Sequence, residues 1–253
     1  MKKEKNHKLY RKMGFYERYI KRAIDIFCSG LAIIVFCWLY AIIALLVRIK
    51  LGSPVLFTQY RPGLIDPKTG KERIFKMYKF RTMTDKKDAE GNLLPDEVRL
   101  TKFGAWLRST SLDELPEAFC ILNGTLTLIG PRPQLVRDMV FMSEEQRMRH
   151  TAKPGLSGLA QVSGRNAISW DRKLQYDLEY IEHVSFRYDL KILLKTVEKA
   201  FVKQEGITEE GNMTATDYGD YLLRTNKISR KEYDLRQREA KTILNEMRKL
   251  NEG

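Results

Sequence analysis

From Ile26 to Val47 the chain reads IFCSGLAIIVFCWLYAIIALLV, 22 residues without a charge. As one helix this stretch is roughly 33 Å long at about 1.5 Å per residue, enough to cross a hydrocarbon core. No small-residue cleavage site follows it, and it is long for a signal-peptide core, so it is expected to stay in the protein. A buried core helix is the competing reading, but core helices usually keep a polar stripe.

Charge is arranged around this run. Positions 1–87 hold 20 basic and 6 acidic residues, and positions 88–253 hold 25 and 26, so the net excess of 13 sits in the N-terminal third. Basic residues beside a lipid segment each add about 1 kcal/mol of attraction to an anionic surface. The same charge could suit nucleic acid, but here it encloses a lipid-length segment, so no nucleic-acid partner is expected. Nine basic residues precede the run, and Arg48, Lys50 and Arg61 follow soon after it. Short flanks rich in lysine and arginine stay cytoplasmic. Two such flanks favour a segment that bends back, with an ordinary span as the alternative. A bend usually needs proline or a Gly/Ser break. The run offers Ser29-Gly30 and Cys37-Trp38 but no proline. Asp25, at the entry, is expected at the membrane interface because it would be costly at depth.

Beyond the run, Pro54–Gln59 and Ile74–Thr82 read as two strands, with turn material at Arg61-Pro62-Gly63 and Asp66–Gly70 between them. Residues 84–98 read as a surface loop and Phe103–Leu107 as part of a short helix. Ser111 and Glu114 have capping-box spacing ahead of a helix that ends at Asn123-Gly124. A turn at Gly130–Pro133 precedes a helix to about His150, and 154–164 reads as an irregular loop. Helices are expected from Trp170 to about His183 and from Tyr188 to Lys203. The second carries an apolar stripe (Leu190, Leu193, Leu194, Val197, Phe201) that suits a membrane surface or the domain's own core. After a break at Gly206–Asp217, a charged helix from Ser229 to Leu250 carries a narrow stripe of Tyr233, Ala240, Leu244 and Met247, suited to a partner or a neighbouring surface.

Three cysteines show no pairing pattern, and three histidines offer no zinc-ligand spacing. Asp113-Glu114 can be read simply as acids at a helix N-terminus, where they favour the dipole. The same place attracts phosphate, an ionised aspartate can attack phosphorus, and a neighbouring glutamate can hold Mg²⁺. Arg108 and Arg132 are candidate phosphate clamps, Arg132 stiffened between two prolines. Lys79, in the second strand, could face phosphate or a lipid headgroup. Gly164-Arg165-Asn166 is a short turn with donors.

The ordered motifs RPG (61–63), YKFRTM (78–83), RSTSLDELPE (108–117), GPRP (130–133), PGLSGLAQVSGRN (154–166) and SW (169–170) resemble the bacterial sugar transferase family, over about Tyr16 to Met213. These are monotopic phosphoglycosyl transferases that start glycan assembly on a polyprenyl phosphate carrier, and the chain looks like their short form. The resemblance implies that an aspartate attacks the β-phosphate of a UDP-sugar, UMP leaves, and polyprenyl phosphate then takes the phosphosugar from the enzyme. Matched residue by residue, Asp113 is the nucleophile and Glu114 the Mg²⁺ ligand. Arg108 and Arg132 contact phosphate, Lys79 is a further active-site residue, and Arg165 and Asn166 touch the nucleotide. The family's re-entrant helix breaks near a Ser-Pro pair, a place that Cys37-Trp38 takes here.

The expected fold class is therefore α+β: a re-entrant membrane helix plus a small, mostly helical cytoplasmic catalytic domain with a short β-hairpin and surface-lying amphipathic helices. The segments are a basic N-terminal stretch (1–25), the membrane helix (26–47), the catalytic domain (48–205) and a C-terminal extension (206–253). The expected location is the cytoplasmic face of the bacterial inner membrane. The expected partners are UDP-sugar, polyprenyl phosphate and membrane lipid, with a homo-oligomer or a downstream glycosyltransferase through the C-terminal helix. A non-enzymatic basic membrane adaptor is the alternative, and it leaves the ordered motifs unexplained.

Overall fold

The computed structural model describes residues 11–164, 168–199 and 216–252. The uncharged run does not form one straight rod. It divides into α1 (Lys21–Val35) and α2 (Cys37–Leu51) at Phe36, whose φ of −100° and ψ of 12° leave the helical region. The two limbs, with the π-helical turn Tyr16–Ile20 that leads into α1, meet at a bend of 64°. The break falls beside Cys37-Trp38 and not at Ser29-Gly30, and it forms without proline.

Protein contacts made by each limb hold the bend. Asp25 is buried within the protein, where it accepts from Thr127 Oγ1 at 2.9 Å and from the Leu128 amide at 3.0 Å. Two donors supply what a carboxylate loses on leaving water. Lys21 pairs with Asp189, which also accepts from Tyr16 and Tyr180 hydroxyls at 2.7 and 2.8 Å. Several N-terminal cations thus serve the fold as well as the net charge. α2 buries Ile43, Val47 and Leu51 against Phe80 and Leu107. The other faces of both limbs remain apolar and open, with Phe27, Ile34, Trp38, Leu45 and Ile49 all exposed.

β1 (Leu56–Ile65) and β2 (Glu72–Phe80) form an antiparallel hairpin in which Leu56 faces Phe80. Arg61-Pro62-Gly63 is therefore strand and not turn. The pairing shifts register between Pro62 and Ile65, and a bulge is where a strand tolerates proline. The turn is Asp66–Gly70, closed by the Gly70 amide on the Asp66 carbonyl at 2.8 Å.

Around Gly104 lies α3 (Lys102–Ser109), capped by Thr101, and α4 (Glu117–Asn123) ends on Gly124 at φ 88°. Arg22 donates to the Ile121 and Leu122 carbonyls at 2.6 and 2.7 Å, so a cation from α1 closes the C-terminus of α4. β3 (Thr127–Ile129) and β4 (Gly155–Ser157) pair in parallel, followed by α5 (Leu159–Ser163), where an irregular loop was expected. Three-residue buried strands are too short to show a period. The helix expected up to His150 is three separate turns, Val136–Met139, Glu144–Arg147 and Met148–Thr151. Ser143 and Gln146 restart it through a reciprocal capping box.

Ser169 and Ser185 cap α6 (Trp170–Glu182) and α7 (Phe186–Glu198). α7 buries Asp189 and Ile192, while Leu190, Leu193, Leu194 and Val197 face outward. Its expected stripe is thus not the face that packs on the domain; Phe201 lies outside the described residues. After α8 (Tyr218–Arg224) comes α9 (Arg230–Glu252). Its stripe covers the chain's own surface: Ala240 is buried with Val136, Met139 and Val140, and Tyr233 stacks on Phe141 at 5.6 Å. An oligomer or another enzyme docking on α9 would have to use its other faces. The break expected at 206–217 falls mostly outside the described residues.

Candidate active site

Ser111 takes a left-handed conformation at φ 56° and makes no side-chain cap. The expected capping box is absent. Leu112–Glu114 form a 3₁₀ turn, and α4 begins only after Pro116. The reason is electrostatic. Glu114 is drawn across to Lys79 Nζ at 2.6 Å and to Arg132 Nη2 at 3.4 Å instead of back to its own backbone. Three separate stretches, β2, the 3₁₀ turn and the Gly130–Pro133 loop, thus meet at one carboxylate.

Asp113 points elsewhere, as two consecutive residues must. It is buried at 8% exposure and makes no ion pair among the described residues. Burial is the largest influence on its carboxyl and pushes it up to about 6, with Lys79 and Arg108 opposing and Glu114 adding to the rise. For Glu114 burial also acts upward, but Lys79 and Arg132 outweigh it and hold the carboxyl down at about 2. Two adjacent acids are thus set well apart, one permanently charged and one poised just below neutrality, a pattern that separates chemical roles.

Of the residues singled out from sequence, Asp113, Glu114, Lys79 and Arg132 converge. Arg108 stands beside them, its Nε donating to Thr82 Oγ1 at 3.0 Å, and its charge favours ionised Asp113. Arg165 and Asn166 lie outside the described residues. Glu117 was missed. It is buried at 3% exposure, its Oε1 is 3.2 Å from Lys79 Nζ, and burial raises its carboxyl above the ordinary value. Its i+3 spacing from Glu114 was a legible signal that both acids could share a cation.

Among the described residues no three acids, histidines or cysteines are grouped to cage a metal alone. Mg²⁺ ordinarily uses one or two carboxylates and takes its remaining ligands from water and substrate phosphate. Glu114 supplies one such carboxylate, with Glu117 on the same Lys79, so the residues fit the ion.

An apolar groove of about 630 Å³ opens beside the site. Tyr40 and Ala44 of α2, Val55 just ahead of β1, Tyr78 and Phe80 of β2, and Pro116 and Phe119 next to the 3₁₀ turn line it. Tyr40 donates to the Leu115 carbonyl at 2.6 Å, which ties the bent helix to the turn that bears the acids.

A buried acid pair opposed by lysine and arginine thus lies beside an apolar groove, an arrangement of the kind that binds ligands. The profile of the bacterial sugar transferase family matches residues 16–203, and the chain belongs to that family, which makes it an enzyme of the transferase class. It is 49% identical over 193 residues to the uncharacterized sugar transferase EpsL of Bacillus subtilis, covering 76% of this chain and 89% of the relative. It is 37% identical to the UDP-glucose:undecaprenyl-phosphate glucose-1-phosphate transferase of Klebsiella pneumoniae, and 34% to an Aeromonas hydrophila UDP-N-acetylgalactosamine-undecaprenyl-phosphate N-acetylgalactosaminephosphotransferase. Those matches cover 73% and 71% of this chain but only 40% and 43% of the relatives.

Proposed function

We propose that the chain is a phosphoglycosyl transferase that moves a sugar 1-phosphate from a UDP-sugar to polyprenyl phosphate. The observation that carries this reading is the contrast between Asp113, buried and unpaired, and Glu114, clamped by Lys79 and Arg132. An Asp113 oxygen attacks the β-phosphorus of the donor. The bond from that phosphorus to the bridging oxygen breaks, and UMP leaves with the electron pair. The sugar phosphate is then held as an acyl phosphate on Asp113. An oxygen of polyprenyl phosphate attacks the same phosphorus, releases the carboxylate, and yields polyprenyl diphosphate-sugar.

Lys79, Arg132 and Arg108 supply the positive field that a diphosphate and its transition state need. Glu114 would hold Mg²⁺, which when bound neutralises part of the diphosphate charge. Lys79 reaches both Glu114 and Glu117, so it could stay on Glu117 while Glu114 holds the ion. Arg165 and Asn166 complete the proposal on the nucleotide side.

The bent helix fits a re-entrant segment that enters the bilayer and returns, with both basic flanks on the cytoplasmic face where nucleotide sugars are made. Its exposed apolar faces and the outward stripe of α7 would contact lipid. The groove between α2 and the hairpin would take the first isoprene units of the acceptor and bring its phosphate to Asp113. This is the first membrane step of glycan, exopolysaccharide or glycoprotein assembly. The donor sugar is found by offering a panel of UDP-sugars with Mg²⁺ and polyprenyl phosphate and measuring UMP. One preferred sugar supports the reading, and no UMP from any of them contradicts it.

A further inference from the structure

The loop that carries Arg132 has an unusual support. Pro131 and Pro133 have no amide hydrogen, so the backbone of this segment can be held chiefly through its carbonyls. All three carbonyls from 131 to 133 are held. The Gly155 amide donates to Pro131 O at 2.9 Å, Arg149 Nη2 to Arg132 O at 2.5 Å, and Arg61 Nη1 to Pro133 O at 3.1 Å. On the inner side, Gly130 and Gly155 cross so closely that a Cβ on Gly155 would lie 2.1 Å from the Gly130 nitrogen. The segment has no room to shift inward.

Arg149 is itself immobilised. It is 1% exposed, and Nε and Nη2 both donate to Asp177 Oδ2, at 2.9 and 2.7 Å. Its Nη1 meets His150 Nε2 at 3.0 Å, and His150 Nδ1 meets Glu72 at 2.9 Å. Glu72 in turn pairs with Arg147 at 2.6 Å. The network therefore runs from Asp177 on α6 and Glu72 on β2 to a single backbone carbonyl. A buried ion pair of this kind is often replaceable by apolar side chains without loss of stability. Stability alone does not explain why a guanidinium sits here. Its fork is what allows one side chain to hold a carboxylate and a carbonyl together.

We infer that Arg149, assisted by Arg61, is a positioning residue: it fixes the backbone of Arg132 so that the Arg132 guanidinium is presented to substrate phosphate. The inference rests on the phosphate-binding role proposed for Arg132. Neither Arg149 nor Arg61 touches substrate; they act through the carbonyls on either side of the Arg132–Pro133 bond.

The test is a double-mutant cycle on the full chain in detergent, read by calorimetric titration with UDP in Mg²⁺. One arm is Arg132→Ala. The other replaces the buried pair by apolar side chains, Arg149→Met with Asp177→Leu. Each arm alone should weaken UDP binding on the order of 10-fold, as loss or misplacement of a clamp does. Combined, they should weaken it no further than Arg132→Ala alone, because the support has nothing left to position. Equal, additive losses in both backgrounds would overturn the inference, as would an apolar pair that binds UDP like the wild type. If the apolar pair does not fold, Arg149→Lys takes its place in the cycle, keeping the charge but losing the fork. Unweakened binding by Arg132→Ala would instead refute the phosphate role of Arg132, and the positioning role with it.

Discussion

Lys79 and Glu114 are joined by a 2.6 Å ion pair that crosses from the β-hairpin to the 3₁₀ turn Leu112–Glu114. This contact, more than any helix cap, decides where the two acids point. It turns Glu114 toward the cationic side and leaves Asp113 unpaired.

Replacing Lys79 by Met should therefore do more than remove a charge from the site. The pair is part-buried on both sides, so its loss should destabilise the fold by an amount between the ~1 kcal/mol of a surface pair and the ~3–5 kcal/mol of a buried one. Glu114 is depressed in the folded protein, so its contribution is present above the ordinary carboxylate value of 4.5 and is lost as pH falls toward about 2. Urea unfolding of Lys79→Met between pH 5 and pH 3 should show a shallower fall in stability than the wild type. An unchanged slope would mean that the pair does not hold Glu114 down.

Asp113 should behave in the opposite sense. Its carboxyl is raised to about 6, so its charge costs stability above that pH and costs nothing below the ordinary value of 3.8, where it is protonated in both states. Asp113→Asn should stabilise the protein by roughly 1–3 kcal/mol at pH 7, with the gain fading between pH 6 and pH 4. Thermal melting across that range checks it, and donor turnover by the wild type should show an acid limb near pH 6.

The groove makes a separable expectation. Ala44→Trp would fill it from α2 without touching any charged residue. The apparent KM for polyprenyl phosphate should rise about 10-fold or more, while UDP-sugar consumption in the absence of lipid stays as in the wild type. Equal losses in both steps would mean that the groove is structural.

Topology can be read directly by placing single cysteines at Lys12 and at exposed Leu235 of α9, after replacing Cys28, Cys37 and Cys120. Impermeant reagent added to intact cells should label neither position, and both should label after lysis. Labelling of one from outside would establish an ordinary span.

Much of this was legible before any coordinates. The uncharged run, the two strands, the two helices near 170–183 and 188–203, and the clustering of Lys79, Asp113, Glu114 and Arg132 follow from local pattern or from the motif match. What failed to show depends on long-range partners. Ser111 and Glu114 have capping-box spacing, yet a lysine 35 positions away takes the glutamate. The partners of Asp25, Thr127 and the Leu128 amide, lie more than 100 positions away in the chain. Glu117, Arg61 and Arg149 gain their meaning only from what they touch, and β4 is too short to announce itself. The bend at Phe36 falls beside Cys37-Trp38, the place that the motif match gave it, although no proline marks it.

The central claim is that Asp113 carries the phosphosugar. Intact-protein mass spectrometry after incubation with the preferred UDP-sugar and Mg²⁺, without lipid, tests it most directly. The expected result is a mass increase of one sugar phosphate on the wild type, mapped to Asp113, discharged by polyprenyl phosphate and missing from Asp113→Asn. The same adduct on Asp113→Asn would contradict the assignment.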